Sequence, residues 1–274
     1  MQLRDLKTLD EFKQVVELER AVWGVDYEDV VCVPILVVTV KRGGVLIGAF
    51  ERDRMVGFVY SLPGIKDGKP IQWSHMLGVL DEYRNAGLGH RLKLEQRLRS
   101  LDIGCDLVEW TYDPMQALNA HLNFVKLGIV VEEYAENVYG DSTSHLHKGT
   151  PTDRFVAQWW IREPHVVRRI ESKSLAVVRA PEAVAAPVVN RTHEAGAWLA
   201  CGPYDLHLTD RRLWVEIPTG FTEMQAADPE RALDWRLATR EIFTTYFARG
   251  YRAVDFVLDK AAGRGRYLLA RRDD

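Results

Sequence analysis

Residues Leu77–Leu101 read LGVLDEYRNAGLGHRLKLEQRLRSL. The stretch opens as a strand, because Trp73, His75, Leu77 and Val79 share one face of an alternating run. It turns through Asp81, Glu82, Tyr83, Arg84 and Asn85, and Gly87-Leu88-Gly89 stands where a helix begins. The spacing predicts an apolar helix face at Leu88, Leu92, Leu98 and Leu101, interrupted by Glu95, with Arg91, Lys93, Arg97 and Arg99 as a basic outer face. Strand, glycine loop and helix start together make an anion site. The first turn of a helix carries N–H groups without partners inside the helix, and the helix dipole adds partial positive charge there. Glycines keep side chains out of the space a phosphate needs, and Arg84 stands at the lip. A tight strand-to-helix turn is the plainer role of the same glycines.

Three phosphate loops compete for this pattern. A P-loop requires Gly-x4-Gly-Lys-Ser/Thr, and neither Lys-Ser nor Lys-Thr follows here. A dinucleotide fingerprint requires a third glycine, and position 92 is Leu. What fits is Arg/Gln-x-x-Gly-x-Gly/Ala, here Arg84-Asn85-Ala86-Gly87-Leu88-Gly89. With the preceding Leu77-Gly78-Val79, it resembles the acyl-CoA loop of the GNAT superfamily of N-acetyltransferases. The resemblance covers about residues 1–150. It implies that the backbone of Arg84, Asn85, Ala86, Gly87, Leu88, Gly89 and His90 holds the CoA pyrophosphate. It also implies that the strand at Leu77, Gly78 and Val79 splays from its neighbour and binds the pantetheine arm.

Composition sets the outer limits. The 274 residues suffice for one large or two small domains, with ordinary hydrophobic (47%) and charged (27%) fractions. No apolar run of about 18 residues argues for a membrane span. MQLRDLKTLDEF lacks the apolar core of a signal peptide. Cys32, Cys105 and Cys201 are scattered and odd in number, which points to a reducing cytoplasm rather than a disulfide framework or a cysteine-based zinc site. A net charge of −3 offers no global basic field for nucleic acid.

Along the chain, Gln2–Asp5 reads as a first strand, and Thr8-Leu9-Asp10-Glu11 is a capping box that starts a helix ending at Gly24. Val25–Lys41, broken by Pro34, reads as a loop and a substrate-side element. Val45–Glu51 and Met55–Leu62 form a hairpin, Pro63–Pro70 a turn, and Ile71–Leu80 the strand that enters the glycine loop. Leu107–Tyr112 is the next strand. Asp113 as N-cap and Pro114 at the first position open a helix that buries Leu118, Leu122 and Val125, ends at Gly128 and leads into a strand at Ile129–Glu133. Asp153–Ile161 supplies the last strand of this domain.

The expected fold is therefore α/β (α+β): a GNAT-like mixed, mostly antiparallel sheet flanked by helices, with a second smaller α/β domain at 170–274. In that second half, Ser174–Asn190 reads as a strand, a turn and a connection. A strand follows at Leu213–Ile217. Asp228-Pro229 opens a helix to about Arg249, and strands follow at Tyr251–Leu258 and Arg266–Ala270. Strand, helix, strand echoes the first domain, but no Arg-x-x-Gly-x-Gly appears. A degenerate GNAT-like half and a common α/β unit both remain open.

Acyl transfer needs a neutral amine, a stabilised oxyanion and a proton for the leaving thiolate. The resemblance implies a Tyr four residues before Gly128 as the acid, and this chain has Phe124 there, so Tyr112, Tyr134 or water would have to substitute. Phe124 is either core or a lining of the thioester end. Asn119 is a shifted candidate for the family's pantetheine-binding Asn, or a surface residue. Glu109 and His75 are the candidate bases, each with a structural alternative: an exposed or Arg-paired carboxylate, and a hydrogen-bonding strand His. Glu19 and Asp26 read as solvated charges on the acceptor side. Asp141, His145 and His147 lie in a polar loop without a metal-ligand pattern. Trp159-Trp160 reads as core or an interdomain face.

These readings imply an acyl-CoA-dependent N-acyltransferase acting on a primary amine of a small molecule such as an amino acid. The donor is acetyl-CoA by default, or another acyl-CoA such as succinyl-CoA. No nucleic-acid or membrane partner is expected, and a homodimer is compatible with the reading. The alternatives are a CoA-binding or regulatory module that has lost catalysis, consistent with Phe124, and a protein N-terminal or lysine acetyltransferase.

Overall fold

The computed structural model describes residues 1–25, 29–140, 150–172, 183 and 185–272. The chain separates into two compact units. Among the described residues, unit 1 holds Met1–Trp110 and Trp159–Glu163, and unit 2 holds the rest. The divide falls inside a strand, between Trp110 and Thr111.

Unit 1 begins with β1 (Gln2–Asp5) and α1 (Leu9–Trp23), followed by α2 (Val33–Lys41). Thr8 caps α1 with both halves of the capping box in place. α2 replaces the expected loop. Pro34 lies in its first turn, where the missing N–H has no helical partner to lose, so it starts the helix rather than breaking it. Three antiparallel strands follow: β2 (Val45–Glu51), β3 (Arg54–Lys66) and β4 (Lys69–Val79). The expected Pro63–Pro70 turn shrinks to Asp67-Gly68, both at positive φ (50° and 75°). Pro63 and Gly64 remain in the ladder, opposite Gln72 and Ile71. Then come α3 (Leu88–Asp102) and β5 (Leu107–Tyr112), whose first four residues complete the unit's sheet in the order β1-β2-β3-β4-β5.

Strand alternation sends two sets of side chains to opposite faces. On one, Phe50, Phe58, Tyr60 and Met76 pack with Phe12, Val15, Leu18 and Val22 of α1 and Leu36 of α2. On the other, Val45, Ile47, Val56 and Val59 pack with Leu88 and Leu92 of α3. Beyond Leu92 the buried face of α3 is polar: Lys93, Gln96 and Ser100 are buried, while Leu98 is exposed. The expected apolar face and the expected outward Lys93 are both corrected. A helix turning 100° per residue carries Gln96 and Ser100, not Leu98, along the line of Leu88 and Leu92.

In unit 2 the residues after β5 do not start a helix at Pro114. Helical turns run from Ala117 to Ala120 (α4) and continue as a π-type segment from His121 to Leu127, closed by Gly128 at φ 74°. The wider π turn changes the register. Leu118 is exposed, whereas Asn123, Phe124 and Val125 are buried. β6 (Val130–Ala135), β7 (Arg154–Trp160), α5 (Pro164–Glu171) and the ribbon β8 (Asn190–Ala195) with β9 (Trp198–Tyr204) follow. The chain ends with β10 (Arg212–Pro218), α6 (Phe221–Ala227), α7 (Pro229–Ala248), β11 (Tyr251–Asp259) and β12 (Arg264–Arg271). The antiparallel order is β7-β6-β11-β12-β10. Much of Ser174–Asn190 lies outside the described residues. No described helix is long and apolar enough to cross a membrane.

Asp113, expected as an N-cap, is the anchor of this unit. Its carboxylate accepts from the Met115 N–H (2.8 Å) and takes both arms of the Arg236 guanidinium on α7 (2.7 Å each). One turn along α7, Arg240 grips Asp153 in the same two-pronged way (2.8 Å each), and Tyr134 donates to that carboxylate. Burial alone would raise the Asp113 pKa, but the Arg236 guanidinium holds it below the ordinary carboxylate range. Replacing one partner of a buried pair leaves an uncompensated charge, costing about 3–5 kcal/mol. Arg236→Met is expected to lower the urea midpoint accordingly, and Asp113→Asn in the same chain to recover much of it. Because the Asp113 pKa is depressed on folding, its contribution is present above the unfolded pKa of about 3.9 and disappears as pH falls through the folded value. Wild type is therefore expected to lose part of its margin over Arg236→Met in acid.

Candidate active site

The site in unit 1 starts from an interruption in the sheet. β4 pairs with β3 over its whole length, but with β5 at only two rungs, Gln72↔Val108 and Trp73↔Glu109. Among the described residues no further rung joins them, so β4 from Ser74 to Val79 presents one backbone edge without a strand partner. At the point of parting the β3–β4 ladder shifts register: Tyr60 faces Met76 and Ser61 faces Ser74, leaving His75 as the extra residue of a bulge.

Buried polar groups brace the fork on both sides. On the α3 side, the Lys93 amine lies 3.6 Å over the Trp110 ring and donates to Ser74 Oγ (2.8 Å) and Gln96 Oε1 (3.1 Å). Burial drives its pKa well below that of an ordinary lysine. On the other side, Glu109 is buried and ion-paired with Lys66. The alternation of Glu109 and Trp110 along β5 puts the two braces on opposite faces.

The open edge of β4 leads into the glycine loop. A short 3-10 turn, Asp81–Tyr83, is tied back by Tyr83 to Glu51 (2.6 Å) and by Arg54 to Glu82 (2.7 Å). Arg84 folds onto the Val79 carbonyl (3.2 Å) and Asp81 (2.9 Å). Asn85 and Gly87 take positive φ (62° and 80°), and Gly87 caps α3. A Cβ on Gly87 would meet nothing within 4 Å, so the space in front of the α3 N-terminus is open. At Gly89 an added Cβ would make ordinary contact with Leu77 (3.6 Å). Gly78 is different: a Cβ there would lie 2.8 Å from Phe58 and 3.3 Å from Trp23, so packing demands that glycine. An anionic, extended ligand fits this arrangement, with phosphate against the first-turn N–H groups of α3 and an amide-bearing arm along β4.

The α1–α2 face holds what the sequence reading missed. Glu19, expected as a solvated charge, is fully buried. Its Oε2 accepts from the Val31 N–H (2.8 Å), and its Oε1 has no hydrogen-bond partner among the described residues. Burial raises its pKa to about 7 against the pull of Val31 and Arg20. Beside it the Tyr60 hydroxyl pairs with Thr39 Oγ1 (2.8 Å), and the Tyr60 ring meets His75 edge-on at 6.1 Å. His75 is exposed, and desolvation by the protein around it lowers its pKa. The missed signal was periodic: Phe12, Val15, Glu19 and Val22 fall on one helical face.

Other expected residues lie elsewhere. Asn119 is exposed, and Phe124 is fully buried with its ring 5.7 Å from Tyr267 in the core of unit 2. The Tyr-x-x-x-Gly spacing absent at Phe124 occurs at Tyr246–Gly250. There the Tyr246 ring is buried and its hydroxyl donates to the Asp205 carbonyl (2.8 Å), which makes it a packing residue. Trp159 is fully buried against Trp110, while Trp160 is exposed. Asp26, Asp141, His145 and His147 lie outside the described residues.

No family model matches the chain, and no curated protein matches it in sequence. Solved structures similar to it include GNAT-family acetyltransferases. One is the aminoglycoside 6'-acetyltransferase type Ii, with TM-score 0.48, 18% identity and coverage of 60% of this chain and 99% of that one. Another is the ribosomal-protein-S18-alanine N-acetyltransferase from Escherichia coli, with TM-score 0.47, 13% identity and coverage of 58% and 93%. The smu.2055 protein from Streptococcus mutans UA159 has TM-score 0.48, 18% identity and coverage of 59% and 99%.

Gly87→Ala tests the loop. The left-handed backbone adds about 1–2 kcal/mol of strain, and the new methyl enters the open space before α3. The variant is expected to fold with a slightly lower midpoint and to bind CoA at least tenfold more weakly by calorimetry. Unchanged affinity would remove the loop from the site.

Proposed function

We propose that the chain is an acyl-CoA-dependent N-acyltransferase that modifies a primary amine of a small molecule. The observation that carries this reading is the fork between β4 and β5 opening beside the α3 N-terminus with its left-handed Gly87. Backbone N–H groups at the start of α3 would hold the CoA pyrophosphate, and the unpaired β4 edge from Ser74 to Val79 would hold the pantetheine arm. Bound acyl-CoA supplies an activated acyl carbon and a thiolate leaving group.

The residues around the fork fit the rest of the chemistry. A neutral His75 on the bulge accepts a proton from the attacking nitrogen at one imidazole nitrogen and delivers it to the departing sulfur. This relieves the chain of a tyrosine acid at position 124. Glu109, ion-paired with Lys66, braces the mouth of the fork. Acetyl-CoA is the default donor and an amino acid the model acceptor. A protein N-terminus or lysine is the weaker reading of the acceptor.

Thermal unfolding with acetyl-CoA, succinyl-CoA, free CoA, NAD and ATP in parallel tests the cofactor. A ligand at 100 times its Kd is expected to add about 2.7 kcal/mol, with the CoA species alone raising the midpoint. In acyl transfer to a panel of amines, His75→Gln is expected to lower kcat at least 100-fold with little change in CoA affinity. Its wild-type acid limb should lie below the ordinary histidine pKa of about 6.5, since activity requires the neutral ring. Glu109→Gln is expected to change KM more than kcat. Stabilisation by CoA without turnover of any amine would favour the module that has lost catalysis.

A further inference from the structure

Unit 2 contains a cavity of about 320 Å³ between the ribbon strand β9 and helix α7. Cys201 and Tyr204 line it from the ribbon, and Asp234, Leu237, Ala238 and Glu241 from the helix. Two ties fix its walls. Trp235 of α7 donates through Nε1 to the Leu199 carbonyl (2.8 Å), and the Tyr246 hydroxyl donates to the Asp205 carbonyl (2.8 Å). Leu199 and Asp205 flank the two lining residues of the ribbon, so the space is preformed and a ligand does not have to order it. The helix wall has an order of its own. Asp234, Leu237, Ala238 and Glu241 follow the three-and-four spacing of one helical face. The carboxylates stand at its two ends, about 10 Å apart along the axis, with Leu237 and Ala238 between them. Asp234, Leu237 and Glu241 are exposed, so this wall is reached from solvent.

The ribbon wall adds no cation. Tyr204 donates its hydroxyl to Glu241 Oε2, and that bond holds the phenol protonated, its pKa pushed up to about 12. Burial raises the Cys201 thiol, which keeps it uncharged and unreactive. Among the described residues no lysine or arginine pairs with Asp234 or Glu241. One exposed carboxylate is satisfied by water. Two of them on one helix face, with an uncovered leucine between and a fixed wall opposite, present a pattern that a single molecule can match at once. We infer that this cavity is a binding site for a linear dication: an unbranched diamine whose two ammonium groups meet Asp234 and Glu241 while its methylene chain lies over Leu237 and Ala238. The two carboxylates repel anions, and a monoamine engages only one of them. A diamine too short to span two helical turns does the same. The site uses none of the residues assigned to CoA or to acyl transfer, and the inference stands independently of that reading.

Calorimetric titration of the full chain with 1,8-diaminooctane at neutral pH and low ionic strength tests this, with 1,4-diaminobutane, n-octylamine and 1,8-octanediol as comparisons. The long diamine is expected to bind about fivefold more tightly than the short diamine or the monoamine, the upper range for one exposed ion pair. The uncharged diol should not bind measurably. Asp234→Asn and Glu241→Gln are each expected to weaken 1,8-diaminooctane by about the same factor, to the level of n-octylamine. Both side chains are exposed, and an unchanged unfolding midpoint shows that each variant keeps its fold. In methyl NMR of the labelled chain, Leu237 and Ala238 should shift as the long diamine is added. Equal affinity for the three amines would overturn the inference. So would diamine binding that both substitutions leave unchanged, because it would belong to another part of the chain. An absence of heat together with unmoved Leu237 and Ala238 methyls would overturn it as well.

Discussion

An unpaired strand edge inside a sheet is the constraint on which unit 1 turns. Backbone N–H and C=O groups seek partners, and a strand that abandons its neighbour after two rungs gives up that satisfaction. The molecule keeps the interruption in place with devices that cost stability. A lysine is buried under Trp110 against Ser74, a Lys66–Glu109 pair stands on the opposite face, and an extra residue is inserted at His75. Each of these stands at the parting point. Their joint effect is to hold an extended polar edge open next to a helix N-terminus, and a long amide-bearing anion is what such a surface can satisfy.

The polar seam on α3 and the buried carboxylate on α1 show how the two faces of one sheet divide the work. Lys93, Gln96 and Ser74 lie on the α3 face, whereas Glu19, Thr39, Tyr60 and His75 lie on the α1–α2 face. The first set supports the strands, and the second includes two groups, Glu19 and His75, whose pKa values are shifted. Desolvation lowers the His75 pKa and raises that of Glu19 to about 7. Unit 2 contributes its own rigidity through two Arg–Asp clamps one turn apart on α7.

Much of this was legible in the residues. Gly87 in its Arg-x-x-Gly-x-Gly setting marked a loop whose backbone does take the left-handed form, and the Thr8 capping box and the strands at Val45 and Leu107 appear where patterning put them. What was not legible has physical causes. Lys93 and Glu19 are charged residues on buried faces, and polarity argues for the outside while periodicity argues for the inside; here the period was the better guide. Pro34 and Pro63 looked like breaks but occupy a helix first turn and a strand position, both tolerant of a missing N–H. Asp113-Pro114 had the composition of a helix start, but a long-range partner, Arg236, took the carboxylate instead.

The central claim is that the α3 N-terminus and the open edge of β4 bind CoA. The most direct measurement is an amide NMR titration of the isotope-labelled chain with CoA. The account predicts saturable shifts concentrated at Gly87, Leu88, Gly89 and His90 and along Ser74–Val79, with one dissociation constant for both groups. Shifts confined to other residues, or saturable binding that leaves Gly87–His90 unmoved, would contradict it.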